Sequence, residues 1–120
     1  MARILVVDDD EQIQELMRDM LQREGHEVSI AANGREAMTA FDTEPVDLII
    51  MDLIMPEQEG LETISALRKQ NREIGIIAIS GGGRVTPGDY LEAARIIGAN
   101  RTFAKPFARR DILAAVSELV

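Results

Sequence analysis

Three consecutive aspartates, Asp8, Asp9 and Asp10, follow directly on the apolar run Ile4-Leu5-Val6-Val7. A fourth aspartate, Asp52, ends a second apolar run that begins at Val46. Ser80 follows a third that begins at Ile74, and Lys105 follows the short segment Arg101 to Ala104. Singly, each has an ordinary explanation: a strand terminator and helix cap, a turn residue, a loop hydroxyl, a surface charge. Gathered in one place they describe one chemistry. Carboxylates held close together repel, and one takes up a proton unless a cation intervenes. The cation that suits oxygen donors is hard and divalent, Mg²⁺ or Mn²⁺. A carboxylate is also a nucleophile toward phosphorus, giving an acyl phosphate. Phosphoryl transfer needs in-line placement and neutralisation of the transferring oxygens. The metal and Lys105 would supply that charge, and the Ser80 hydroxyl a hydrogen bond. The product adds about two negative charges and three acceptor oxygens, enough to reorganise a loop.

The elements that must position these residues are legible in the hydrophobic pattern. Ile4 to Val7 reads as a buried strand. Ile13, Leu16, Met17, Met20 and Leu21 then follow the spacing of an amphipathic helix, stopped near Gly25. Val28 to Ala31 is a weaker strand. Asn33-Gly34 turns the chain, and Ala37, Met38 and Phe41 mark one face of a short helix. Val46 to Met51 is a strand, nearly all apolar and therefore central. A helix covers about Glu59 to Asn71, and Ile74 to Ile79 is the fourth strand. The glycines Gly81 to Gly83 form a loop, and Thr86-Pro87-Gly88-Asp89 reads as a helix start, with Thr86 as cap. That helix runs to about Ile97 and stops at Gly98. Arg101 to Ala104 is the fifth strand, and Ile112, Leu113, Val116, Leu119 and Val120 mark the last helix.

Five strands alternating with five helices imply an α/β fold, a doubly wound parallel sheet covered on both faces. Strands one, three and four are the most apolar and belong in the middle. The second, with His26, Glu27 and Ser29, suits an edge, which gives the order 2-1-3-4-5. In such sheets ligands bind beyond the carboxyl ends of the strands, where the strand order reverses. Asp8 to Asp10, Asp52, Ser80 and Lys105 all fall at carboxyl ends of strands.

Composition narrows the class. The chain has 120 residues, one ordinary domain, and is 46% hydrophobic, enough for a core. Its formal charge of -8 argues against a nucleic-acid surface. It has no cysteine, which excludes disulfides and thiolate metal sites. No stretch reads as a signal peptide or membrane span, so a soluble, cytoplasmic protein is expected. His26 stands alone and is a poor metal or catalytic candidate.

The run Ile4 to Asp10, the segment Asp52-Leu53-Ile54-Met55-Pro56 with Gly60 following, Ser80, and Lys105-Pro106-Phe107 resemble bacterial two-component response-regulator receiver domains, CheY-like proteins of flavodoxin-like fold. The resemblance covers essentially the whole chain, as a single receiver domain over residues 1–120 with no output domain. It implies that Asp52 is the phosphoacceptor. It implies that Asp9 and Asp52 ligate Mg²⁺ directly with the main-chain carbonyl of Ile54, and that Asp8 acts mostly through a bound water. Ser80 is then the switch hydroxyl, Lys105 pairs with Asp52 or its phosphate, and the Lys105–Pro106 bond is expected to be cis. The implied donor is a histidine kinase or a histidine phosphotransfer protein, with no turnover of an external substrate. The face formed by the fourth helix, fifth strand and fifth helix is where receivers dock a downstream protein or form homodimers on phosphorylation. No nucleic-acid or membrane partner is expected.

Three features depart from the family pattern. Receivers usually carry Tyr or Phe three residues before the lysine, and here that switch position holds Thr102. Phe103 follows it and, by strand alternation, faces the opposite side and joins the core. The glycine loop beside Ser80 is a few residues longer than in compact relatives, and the expectation is that it replaces the aromatic as the moving part. Ile54 is apolar where many relatives are polar, and an apolar side chain positions no hydrolytic water, so a long-lived phosphoryl group is expected. Three other functions compete: a phosphatase of the haloacid dehalogenase type, a phosphorylation-independent scaffold, and a flavodoxin-like cofactor protein. The first lacks Gly-Thr after Asp8-x-Asp10, the second leaves the acidic residues without a role, and the third has only one Tyr and no Trp to stack on a flavin and no phosphate-binding loop after strand one.

Overall fold

The computed structural model describes residues 2–53, 59–71, 73–80 and 87–120. Its elements alternate strictly. They are β1 (Arg3–Val7), α1 (Glu11–Arg23), β2 (Glu27–Ala31), α2 (Gly34–Thr43), β3 (Leu48–Asp52), α3 (Glu59–Gln70), β4 (Gly75–Ser80), α4 (Pro87–Ile97), β5 (Arg101–Ala104) and α5 (Arg109–Leu119). All five strands are parallel and lie in the order β2-β1-β3-β4-β5, as the apolar pattern predicts.

The alternation of side chains along each strand divides the core in two. On one face Leu5, Val7, Ile49, Met51, Ile76 and Ala78 meet Ala37 of α2, Ile64 and Leu67 of α3, and Ala94 of α4. On the other Ile4, Val6, Leu48, Ile50, Ile77 and Ile79 meet Met17, Met20 and Leu21 of α1, and Ile112, Ala115 and Val116 of α5. The central strands are buried on both sides, which is why β1, β3 and β4 read as continuous apolar runs. The edge strand β2 alternates instead.

Helix ends follow side-chain chemistry. The Asp10 carboxylate accepts from the Gln12 N–H at 2.9 Å and caps α1. Gly25 and Gly98, placed after α1 and α4, both take positive φ (88° and 134°), a conformation open to glycine. Asn33-Gly34 corrects the sequence reading. Rather than a turn, Asn33 is the N-cap of α2, its side chain accepting from the Glu36 N–H at 2.9 Å while Glu36 Oε1 accepts from the Ala32 N–H at 3.1 Å. This reciprocal pairing satisfies two backbone donors and sets the entry of the helix. Two strands are displaced from the apolar runs. Strand β3 starts at Leu48 rather than Val46 and includes Asp52, and β4 covers Gly75–Ser80 rather than Ile74–Ile79. At the amino end of β3, Asp47 Oδ2 accepts from the Arg3 N–H at 2.9 Å. At the carboxyl end the Leu53 N–H donates to Ile79 O at 2.8 Å, and the Lys105 N–H to Ser80 O at 2.7 Å. The ladder therefore continues one residue past the apolar pattern and holds Asp52 and Ser80. Thr86 and the glycine loop lie outside the described residues. Among those described, no helix is long and apolar enough to cross a membrane.

Candidate functional site

Asp8 follows β1, its backbone fixed by an N–H bond to Ala31 O at 3.1 Å and by Gln14 Nε2 donating to its carbonyl at 2.6 Å. Gln14, on the first turns of α1, carries no signal in the sequence that marks it for this task. Asp8 Oδ1 accepts from the Asp10 N–H at 2.9 Å, which turns the other carboxylate oxygen toward the rim. Asp52 closes β3, whose neighbours β1 and β4 bury it to 4% exposure. Asp9 is exposed. Oxygens of Asp8, Asp9 and Asp52 lie within 4.8 Å of one another. The crossover reversal between β1 and β3 is thus where three of the predicted acids meet, and Asp10 is spent on the helix cap.

Lys105 reaches this cluster from β5, across β4. Its Nζ stands 3.7 Å from Asp8 Oδ2 and 3.8 Å from Asp52 Oδ2. One ammonium so placed offsets part of the charge of the acids. The Lys105–Pro106 peptide bond is cis. Ser80 is fully buried, and its Oγ has no hydrogen-bond partner among the described residues. An unpaired buried hydroxyl costs about 1–3 kcal/mol, and here it belongs to the same strand ends as the acids. Ile54 lies outside the described residues, so its carbonyl is not part of this geometry. Thr102 pairs with Ala78, on the face that Ser80 shares, while Phe103 pairs with Ile79 and packs into the opposite cluster. The aromatic ring and the Ser80 hydroxyl are on different faces of the sheet.

Gly60, read in the sequence only as part of a motif, has a steric duty. A Cβ there would stand 2.8 Å from both Asp52 O and Leu53 Cα, so the first turn of α3 lies directly against the backbone that carries Asp52. The sequence reading also missed Arg68 and Asn100, at the opposite end of the sheet. Arg68 donates from Nε to Gly98 O at 2.9 Å, from one terminal nitrogen to Ile74 O at 2.7 Å, and from the other to Asn100 Oδ1 at 2.7 Å. Nothing in helical periodicity separates such an arginine from a solvated one.

Burial pushes the Asp8 carboxyl above its usual value. The Asp10 N–H and Lys105 pull it down, while Asp9 and Asp10 add to the rise. The folded chain therefore binds this proton more tightly than the unfolded chain. The associated stability is fully present below the unfolded value of about 4 and is lost as pH rises through the raised folded value. Asp8→Asn keeps the oxygen that accepts from Asp10 and removes the charge. In chelator at neutral pH the variant is expected to melt a few degrees above wild type, with the difference closing below about pH 4, as thermal unfolding across pH would measure. A variant no more stable than wild type at neutral pH contradicts this.

The donor set fits a hard divalent ion: three carboxylates, two of them buried, with oxygens in mutual reach and one carboxyl held above its usual range. Asp8, Asp9 and Asp52 are the residues that would hold it.

Comparison with known proteins agrees with this arrangement. Residues 4–117 match the response regulator receiver domain family. The chain is 31% identical over 120 residues to the transcriptional regulatory protein CpxR of Escherichia coli strain K12, covering all of this chain and 50% of that protein. It is 32% identical to the alkaline phosphatase synthesis transcriptional regulatory protein PhoP of Bacillus subtilis, over 98% of this chain and 48% of that one. The chain thus spans about half the length of these curated relatives. Among solved structures, a CheY-like receiver domain protein of Methanospirillum hungatei superposes with a TM-score of 0.88 at 30% identity, covering 98% of this chain and 92% of that one. The chemotaxis protein CheY4 of Vibrio cholerae gives 0.86 at 30% identity, covering 100% and 99%. With its sheet order, its acidic strand ends and its match over residues 4–117, the chain belongs to the response regulator receiver domain family of two-component systems.

Proposed function

We propose that this receiver takes a phosphoryl group onto Asp52, in a divalent-cation-dependent transfer from the phosphohistidine of a kinase or phosphotransfer protein. The observation that carries the reading is the cluster itself, with three carboxylates within 4.8 Å and the Lys105 ammonium 3.7–3.8 Å from two of them. Asp52 is the nucleophile in this reading, as the resemblance to receivers implies, and it is buried with the Lys105 ammonium 3.8 Å away. Its oxygen attacks phosphorus, the phosphorus–nitrogen bond breaks, and the electron pair leaves on the imidazole nitrogen, which then takes a proton. The product is a mixed anhydride on Asp52, and attack of water on phosphorus restores the carboxylate. A bound Mg²⁺ supplies charge for the phosphoryl oxygens. Asp8, Asp9 and Asp52 would hold it, Lys105 holds a second positive charge toward the acceptor, and the Ser80 hydroxyl, unpaired among the described residues, offers a hydrogen bond.

The chain assists its own phosphorylation and dephosphorylation and turns over no external substrate in this reading. The face of α4, β5 and α5 is where a downstream protein, or a second copy, would sense the change. Several relatives are transcriptional regulators by name, but the net charge of -8 argues that this chain is not what touches DNA. A cytoplasmic setting follows from a kinase donor.

Intact mass after incubation with Mg²⁺ and acetyl phosphate tests the reading. Gain of a single phosphoryl group, absent in Asp52→Asn, is the expected result. No gain, or a gain that survives the substitution, overturns the assignment of Asp52.

A further inference from the structure

We infer that Asn100, held in place by Arg68, is a positioning residue for Lys105: it pins the register of the edge strand β5 and so sets the reach of the ammonium to the acidic cluster. This rests on the reading of Asp52 as phosphoacceptor.

Strand β5 is the weakest place in the sheet to hold a functional lysine. It has four residues, it is an edge, and it pairs only with β4. A short edge strand with one partner specifies its register poorly. A slip of one residue moves the chain by about 3.3 Å and turns every side chain to the other face. Phe103 would leave the cluster around Ile79. The Lys105 ammonium would leave the 3.7–3.8 Å positions beside Asp8 and Asp52. Attraction falls with distance, so the charge balance of the site depends on β5 staying where it is.

Two devices hold it. At the carboxyl end the Lys105 N–H donates to Ser80 O at 2.7 Å. At the amino end Asn100 closes on a single residue of β4: its own N–H donates to Ile76 O at 2.8 Å, and its Oδ1 accepts from the Ile76 N–H at 2.9 Å. A side-chain oxygen thus does the work of a strand carbonyl, and because it satisfies both groups of Ile76 it admits one register. Arg68 donates to the same Oδ1 at 2.7 Å and anchors its own fork on Gly98 O and Ile74 O, so the amide cannot swing away. A hydrogen bond from a charged donor is among the stronger ones. The Arg101–Glu118 pair also ties β5 to α5, but both side chains are about half exposed and such pairs contribute little. The hook lies at the amino ends of the strands, away from the acidic cluster, so it touches neither phosphate nor metal and would reach the site through the strands.

A double-mutant cycle on the full chain separates positioning from general loosening. The initial rate of phosphoryl uptake from acetyl phosphate, at saturating Mg²⁺ and well below the melting temperature of each variant, is measured for wild type, Asn100→Ala, Lys105→Ala and the double variant. Asn100→Ala is expected to lose about tenfold in the wild-type background, since displacement of a reacting group by ångströms has effects of this order, and to lose nothing further once Lys105 is gone. Asn100→Asp, which keeps an acceptor oxygen for Ile76 and Arg68, is expected to restore the rate. Equal losses in both backgrounds, or no loss, overturn the inference. Hydrogen exchange at the Lys105 amide gives a readout independent of chemistry: Asn100→Ala should speed it and Asn100→Asp should not, and unchanged exchange also overturns the inference. If wild type takes up no phosphoryl group, the phosphoacceptor reading fails, and the exchange measurement alone decides whether Asn100 holds β5.

Discussion

Chelation of divalent cations is expected to slow phosphoryl uptake by at least roughly a thousandfold, a change of about 4 kcal/mol in the barrier. The size follows from the charges. Three carboxylates with oxygens within 4.8 Å share one ammonium, which stands 3.7–3.8 Å from two of them. A phosphoryl donor brings about two more negative charges. Each unit-charge pair near 4 Å contributes roughly 1 kcal/mol in water and about 4 kcal/mol near a protein surface, so an uncompensated approach is opposed by several kcal/mol. Lys105 offsets only part of this. Initial rates from acetyl phosphate against Mg²⁺ concentration would measure the dependence. Asp9→Ala removes the exposed carboxylate of the cluster without opening the core, so it should move the curve to higher Mg²⁺ while leaving the fold intact. Thermal unfolding gives a second view of the same site: Mg²⁺ should raise the melting temperature of wild type, and of Asp9→Ala much less. Uptake at an undiminished rate in chelator would sink the metal-dependent reading.

Arg68→Ala is expected to destabilise the chain by about 3 kcal/mol, lowering the melting temperature by roughly 10 °C. The guanidinium serves Gly98 O, Ile74 O and Asn100 Oδ1, and at 3.4 Å Asn71 O. Burial lowers its pKa from the usual arginine value, because part of the guanidinium's hydration is lost. Truncation leaves several acceptors without a donor at the junction of α3, β4 and the α4–β5 connection. The aliphatic stem matters as well, since Arg68 Cγ lies 2.6 Å from where a Cβ on Gly98 would stand. Arg68→Lys supplies one donor in place of a fork and should recover less than half of the loss. Chemical denaturation of the three proteins measures the difference, and an alanine variant within about 0.5 kcal/mol of wild type would show that water replaces the guanidinium at no cost.

How much of this was legible beforehand depends on range along the chain. The apolar runs Ile4 to Val7, Val46 to Met51 and Ile74 to Ile79 mark β1, β3 and β4 because a strand buried on both faces leaves no room for polar residues. Their acidic or hydroxyl ends mark one rim, since parallel strands carry all their carboxyl ends to the same side. The opposite facing of Thr102 and Phe103 needed only the two-residue period of a strand. Local patterns with two meanings were harder. Asn33-Gly34 is a turn signal and equally a cap followed by a helix start, and Glu36, three residues on, decided it.

Residue types and their order along the chain therefore determined the class of fold, the strand order and the acids and lysine of the site, because burial and alternation act through near neighbours in sequence. The contacts that tune the site came only with the folded chain. Asp8 is raised by burial that its neighbours in sequence do not create, and Gly60 is required by the backbone of Asp52 and Leu53 passing within 2.8 Å of its missing Cβ. Arg68 meets Asn100 across 32 positions of chain. Hydrogen bonds and close approaches are short-ranged, and which distant groups come within 3 Å of one another is settled by how two layers of helices pack on a sheet, a property of the whole chain that no single stretch of it carries.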